Sequence, residues 1–161
     1  MTLSKTPSQT VGPYYPIGLC QRPQNELVPA SDPAAIRLIG RLLDGAGDPI
    51  DGLIEVWDHA SGRWGRCGTD AAGRFEFAVA KAVGAGEDAP RLDVYVFARG
   101  LLKHQLTRIY FPDEPDANAR DPLLSSLDGG DRATLIAEQE DGALRFDIRM
   151  QGERATVFFA V

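Results

Sequence analysis

The chain has 161 residues, 43% of them hydrophobic and 25% charged, with a formal net charge of −6 and no block of Lys or Arg. That length predicts one domain with its own core, and the acidic balance argues against a nucleic-acid binder, which needs clustered positive charge. No apolar run reaches the ~20 residues of a membrane-crossing helix, no apolar leader opens the sequence, and Cys20 and Cys67 make no disulfide framework. A soluble protein of a reducing cytoplasm is expected.

In chain order, the first feature is Thr6-Pro-Ser-Gln-Thr-Val-Gly-Pro-Tyr-Tyr-Pro16. Its prolines fix φ and bias the preceding residues towards extended backbone, which predicts a stiff arm that lies against something. Residues 1–34 are read as this arm and 35–161 as one β domain. Period-2 alternation then recurs in short runs bounded by Gly, Asp and Pro. The runs are Ala35–Leu43, Gly52–Trp57, Gly73–Val79, Arg91–Phe97, His104–Phe111, Ala133–Ala137, Leu144–Met150 and Thr156–Ala160. One short helix is expected around Glu114–Ala119. About eight strands separated by turn signals predict an all-β, antiparallel sandwich or barrel-like core.

Chemistry is sparse in the motifs. His59 and His104 have no ligand neighbours at metal-binding spacing, and no phosphate loop or nucleophile elbow is present. Arg108 lies between Leu106 and Tyr110 on one strand face, an apolar setting for a charge. It is open whether an acid pairs with it or it faces a ligand. Arg91 and Asp93 share a strand face and are placed to pair with each other or with a partner.

Thr6–Tyr14 resembles the N-terminal signature of the intradiol ring-cleavage dioxygenases. Leu53–Trp57, Gly68–Phe75, Phe97–Gly100 and Leu106–Phe111 continue the resemblance, and Arg145–Glu153 with Thr156–Phe159 resembles the α subunits of the two-subunit members. The stretch between Val79 and Pro90 is shorter than the family pattern. Catalytic chains of the family hold Fe(III) with two tyrosines and two histidines. Against that pattern this chain has Trp64 in Gly62-Arg63-Trp64, no tyrosine between Val79 and Pro90, and Arg91-Leu92-Asp93 in place of His-x-His.

The resemblance therefore implies an iron-free subunit with no metal ligand and no catalytic residue of its own. A homologous β subunit would bind the Fe(III), within αβ protomers of a larger oligomer. The implied reaction is O2-dependent cleavage of protocatechuate to 3-carboxy-cis,cis-muconate. Thr10, Gly12, Pro13 and Tyr14 of the arm, together with Arg108, are the implied substrate-side residues, with Arg108 supplying positive potential for the substrate carboxylate. The competing reading is a non-catalytic β-sandwich binding module, transthyretin-like or carbohydrate-binding. A stand-alone catechol dioxygenase is disfavoured by the loss of every ligand.

Overall fold

Alternation along the chain becomes two stacked sheets in the computed structural model, which describes residues 6–12, 14–22 and 24–160. The strands β2 (Gly52–Asp58), β3 (Arg63–Gly68), β5 (Arg91–Ala98) and β6 (Gln105–Tyr110) form one antiparallel sheet, ordered β3-β2-β5-β6. The second sheet holds β1 (Ile36–Leu43), β4 (Arg74–Val79), β7 (Glu138–Glu140) and β8 (Ala143–Arg145) in the order β4-β1-β8-β7, and β9 (Ile148–Arg149) also pairs with β1. Leu38, Leu42, Ile54, Val56, Phe77, Leu92, Val94, Val96 and Ile109 fill the space between the sheets and are fully buried. Burial of side chains this size, each worth roughly 1.5–3 kcal/mol, is the main force closing the sandwich.

A smaller cluster of Tyr110, Leu124 and Leu135 sits under three short helices, α2 (Pro115–Arg120), α3 (Pro122–Ser126) and α4 (Gly129–Ala133). Asp121 caps α3 by accepting from the Leu123 and Leu124 amides, and the same buried carboxylate also accepts from Ala89 and the Tyr110 hydroxyl. α2 is the helix expected near Glu114.

Several elements differ from the sequence expectation. β3 was not anticipated, because Arg63-Trp-Gly-Arg-Cys-Gly68 lacks apolar alternation. A Cβ on Gly65 would meet Leu27 Cδ1 at 2.6 Å and the Gln24 carbonyl at 2.7 Å, so glycine lets the N-terminal segment pass over β3. Ala133–Ala137 and Thr156–Ala160 each reduce to a single bridge, Tyr110 with Ile136 and Leu106 with Phe159. The run Leu144–Met150 is split into β8 and β9 at Phe146-Asp147. There the Arg41 amide donates to the Asp147 carboxylate, at 3.0 Å, instead of to a ladder carbonyl. Finally, the arm makes one helical turn, α1 (Tyr15–Leu19), with Pro16 in its first turn, where no amide donor is required.

Candidate functional site

The packing that sends Ile54, Val56, Leu92, Val94 and Ile109 into the core turns Glu55, Trp57, Asp93 and Arg108 to the outer face of the four-stranded sheet. Register then aligns one row across it. Trp64 lies opposite Trp57, Trp57 opposite Asp93, and Asp93 opposite Arg108. The two indoles stack at 5.4 Å and 17°, His59 stacks on Trp57 at 6.0 Å, and the Arg66 guanidinium lies 5.3 Å from the Trp64 ring centroid. Arg66 is itself held by Glu55, Nε to Oε1 at 2.8 Å.

Asp93 is the hub of the other half of the row. Arg108 Nε is 3.2 Å from one carboxylate oxygen, with Arg91 Nε at 3.8 Å from the same oxygen, and His59 Nε2 is 3.2 Å from the other. The Arg108–Asp93 approach is off the line of a hydrogen bond, so it is a charge contact rather than a directed one. The Phe159 ring packs beneath the Arg108 guanidinium at 5.2 Å. Burial works against the Arg108 charge, but the Tyr110 hydroxyl and the Asp93 carboxylate more than compensate and hold its pKa above the ordinary arginine value. Tyr110 is pushed up to about 12, chiefly by burial.

The arm occupies one end of this region. The Gly100 amide donates to the Thr10 hydroxyl at 3.0 Å. Gly12 has φ +73°, a left-handed conformation that favours glycine, and a Cβ there would meet nothing within 4 Å. Tyr14 is 77% exposed, whereas its neighbour Tyr15 is 7% exposed. Pro13 lies outside the described residues. Gln9 and Val11 join Phe97, Leu102 and His104 around a cleft of about 390 Å³. From Phe97, beside the arm, to Asp93 is four residues of strand, or roughly 13 Å. The arm and Arg108 therefore sit at separate places on the sheet, with Tyr95 between them.

A cleft of about 820 Å³ opens elsewhere, lined by Arg41, Arg145, Arg149, Asp128, Asp131 and Asp147 among others. Its charges of both signs face one another, and Arg145 already pairs with Asp147 and Glu140. None of the sequence-predicted site residues that the structure describes lines it.

No family model matches the sequence. The chain is 36% identical to the protocatechuate 3,4-dioxygenase alpha chain of Burkholderia cepacia over 195 aligned positions, covering 99% of each chain. The chain belongs to the protocatechuate 3,4-dioxygenase alpha-chain family. That alignment is longer than the 161 residues here, so the relative carries segments this alpha-family chain lacks. The beta chain from the same organism is 30% identical over 78% of this chain and 68% of its own length. In fold, the chain is similar to the dioxygenase domain of a dioxygenase and carbohydrate-binding fusion from Streptomyces sp. SirexAA-E. The TM-score is 0.64 at 22% identity, covering 92% of this chain and 99% of that one. This membership decides against an unrelated binding module.

Intradiol dioxygenases depend on non-haem iron, and the residues present do not fit such an ion. Among the described residues, no three His, Cys, Asp or Glu side chains group to hold a metal. Trp64 offers no ligand atom, Arg91 is a cation paired to Asp88 at 3.0 Å, and Asp93 is engaged by two arginines and a histidine. Sequence comparison with the family pattern singled out Trp64, Arg91 and Asp93, and all three lie on this one sheet face. Trp57, His59 and Phe159 were missed as members of the cluster. Only strand register and the C-terminal crossing bring them there.

Proposed function

We propose that this chain is the iron-free α subunit of a protocatechuate 3,4-dioxygenase. In this reading a homologous β subunit holds the Fe(III), and the two chains form αβ protomers within a larger oligomer. The reaction breaks the ring bond between the two hydroxyl-bearing carbons of protocatechuate and adds one atom of O2 to each, giving 3-carboxy-cis,cis-muconate. This chain's share is to wall the pocket, exclude water and fix the substrate's orientation. Thr10, Gly12, Pro13 and Tyr14 are assigned to the wall, and Arg108 to the positive potential that favours the substrate carboxylate.

The observation that carries the reading is the filling of the outer sheet face. Trp64, stacked on Trp57, and Arg91 and Asp93, joined in one ion cluster, stand where the family pattern has metal ligands, while the arm turns Tyr14 outward. The test is truncation within the co-expressed complex. Because Tyr15 is buried, the deletion that spares the fold ends at Tyr14 rather than beyond it. Removing residues 1–14 should leave the melting curve of the isolated chain nearly unchanged and weaken partner association or oxygen uptake with protocatechuate. Unchanged assembly and turnover would show that the arm is a solvent-side tail.

A further inference from the structure

We infer that Tyr15 is the positioning residue of the arm. Its ring, sunk into this chain's own body, fixes the place from which Thr10 to Tyr14 are presented to the partner's site. The inference rests on the function proposed above and adds a residue to it.

Adjacent tyrosines take opposite fates. Tyr14 projects into solvent, while Tyr15 is buried near Asp51 and Arg99, which precede β2 and follow β5, and near Cys20, which follows α1. The backbone is locked at the same point, since the amides of Ile17 and Gly18 both donate to the Tyr14 carbonyl. The remaining ties are spread along the segment. The Thr10 hydroxyl accepts from Gly100 at 3.0 Å on one side, and the Gln24 carbonyl accepts from Arg66 at 2.7 Å on the other. Among the described residues between those two polar ties, Tyr15 is the large side chain that the arm commits to the body. Val11, Ile17 and Leu19 stay exposed with Tyr14.

The hydroxyl of Tyr15 does not account for this anchoring. It is fully covered, has no hydrogen-bond partner among the described residues, and lies near the Asp51 carboxylate without aligning to it. A buried hydroxyl without a partner opposes docking, so the ring's apolar area must hold the arm. An anchored arm meets its partner already ordered and avoids the entropic cost of ordering a loose one at that moment.

The experiment compares Tyr15→Ala with Tyr15→Phe, in two assays. The first is chymotrypsin cleavage of the isolated chain at Leu19, which is exposed but held in the one-turn helix. Losing the ring should speed cleavage about ten- to a hundred-fold, the population change expected for losing burial of one large side chain. Tyr15→Phe should cleave at the wild-type rate or more slowly. The second assay is oxygen uptake by the assembled complex. Tyr15→Ala should raise KM for protocatechuate with a smaller change in kcat, and Tyr15→Phe should restore wild-type values. Should Tyr15→Ala fail to fold, Tyr15→Leu, which keeps apolar bulk but not the ring's reach, carries the same comparison.

Unchanged cleavage in Tyr15→Ala would overturn the anchor, whatever the complex does. Accelerated cleavage in Tyr15→Phe would assign the anchor to the hydroxyl and overturn the ring's role. If the arm is released but turnover is unchanged, the 1–14 deletion separates two failures. A disabling deletion overturns the positioning role alone, and a silent one removes the underlying reading with it.

Discussion

The two sheets carry ion pairs on their outer faces, and the pairs differ in kind. On the five-stranded sheet Arg37 and Glu76 form a two-point contact, at 2.7 and 2.9 Å, with side chains 61% and 50% exposed. On the four-stranded sheet Asp93 is only 14% exposed and Arg108 26%, and Arg91 and His59 crowd the same carboxylate. Water screens the first pair and offers its groups nearly equal solvation when they are apart. The second cluster is held in a setting where removing one member leaves its partners short of charge and solvent together. Similar chemistry thus decorates one face and defines the other.

Breaking the half-buried cluster should give the largest effect. Asp93→Ala leaves Arg91 and Arg108 close together without their shared carboxylate. Loss of one member of a fully buried pair costs about 3–5 kcal/mol, and partial exposure reduces this to roughly 2–3 kcal/mol. For a chain of this size that is a fall in Tm of about 5–10 °C, read by thermal denaturation of the isolated chain. A shift as small as that of a surface variant would mean that Asp93 is solvated in solution.

Arg108→Ala sharpens the comparison in the assembled enzyme. Asp93 keeps Arg91 and His59 as partners, so stability should fall less than in Asp93→Ala. KM for protocatechuate should rise about ten-fold more than KM for catechol, the low end of a charge-assisted contact of roughly 1.5–3 kcal/mol. The low end is expected because Asp93 already draws on the same guanidinium. Steady-state oxygen uptake with both substrates decides it, and equal losses would leave Arg108 a purely structural residue.

The exposed pair should give the smallest effect. Arg37→Ala should move Tm at neutral pH by about 1 °C or less. Its trace should instead appear in acid. The hydrogen bonds from Arg37 hold the Glu76 pKa below the usual glutamate value, despite some opposing burial. The stability this contributes is fully present above the unfolded-state value and is lost as pH falls through the depressed one. The difference in stability between wild type and Glu76→Gln should therefore close over that acid window, and added salt should shrink it.

These regions were not equally legible in the sequence. Alternation exposed β1, β2, β4, β5 and β6, because each has one face in the core and one outside it. β3 was hidden, since its inward positions include Gly65, chosen for the space it leaves rather than for apolar burial. Arg91 and Asp93 could be placed on one face from their spacing alone. That Asp93 also meets Arg108, His59 and, through Arg108, Phe159 depends on register and on where the C-terminal segment crosses β6, which no local pattern encodes. The opposite orientations of Tyr14 and Tyr15 were equally invisible, because neighbouring identical residues differ only in what the body offers each.

In the proposed function this chain completes an active site without holding its metal. Iron content per chain, measured on the purified isolated chain and on the co-expressed αβ complex, tests it most directly. The isolated chain should be colourless with no stoichiometric iron, and the complex red-brown with one iron per αβ pair. Tight stoichiometric binding of ferric iron by the isolated chain would contradict the reading of Trp64, Arg91 and Asp93, and with it the division of labour between the two subunits.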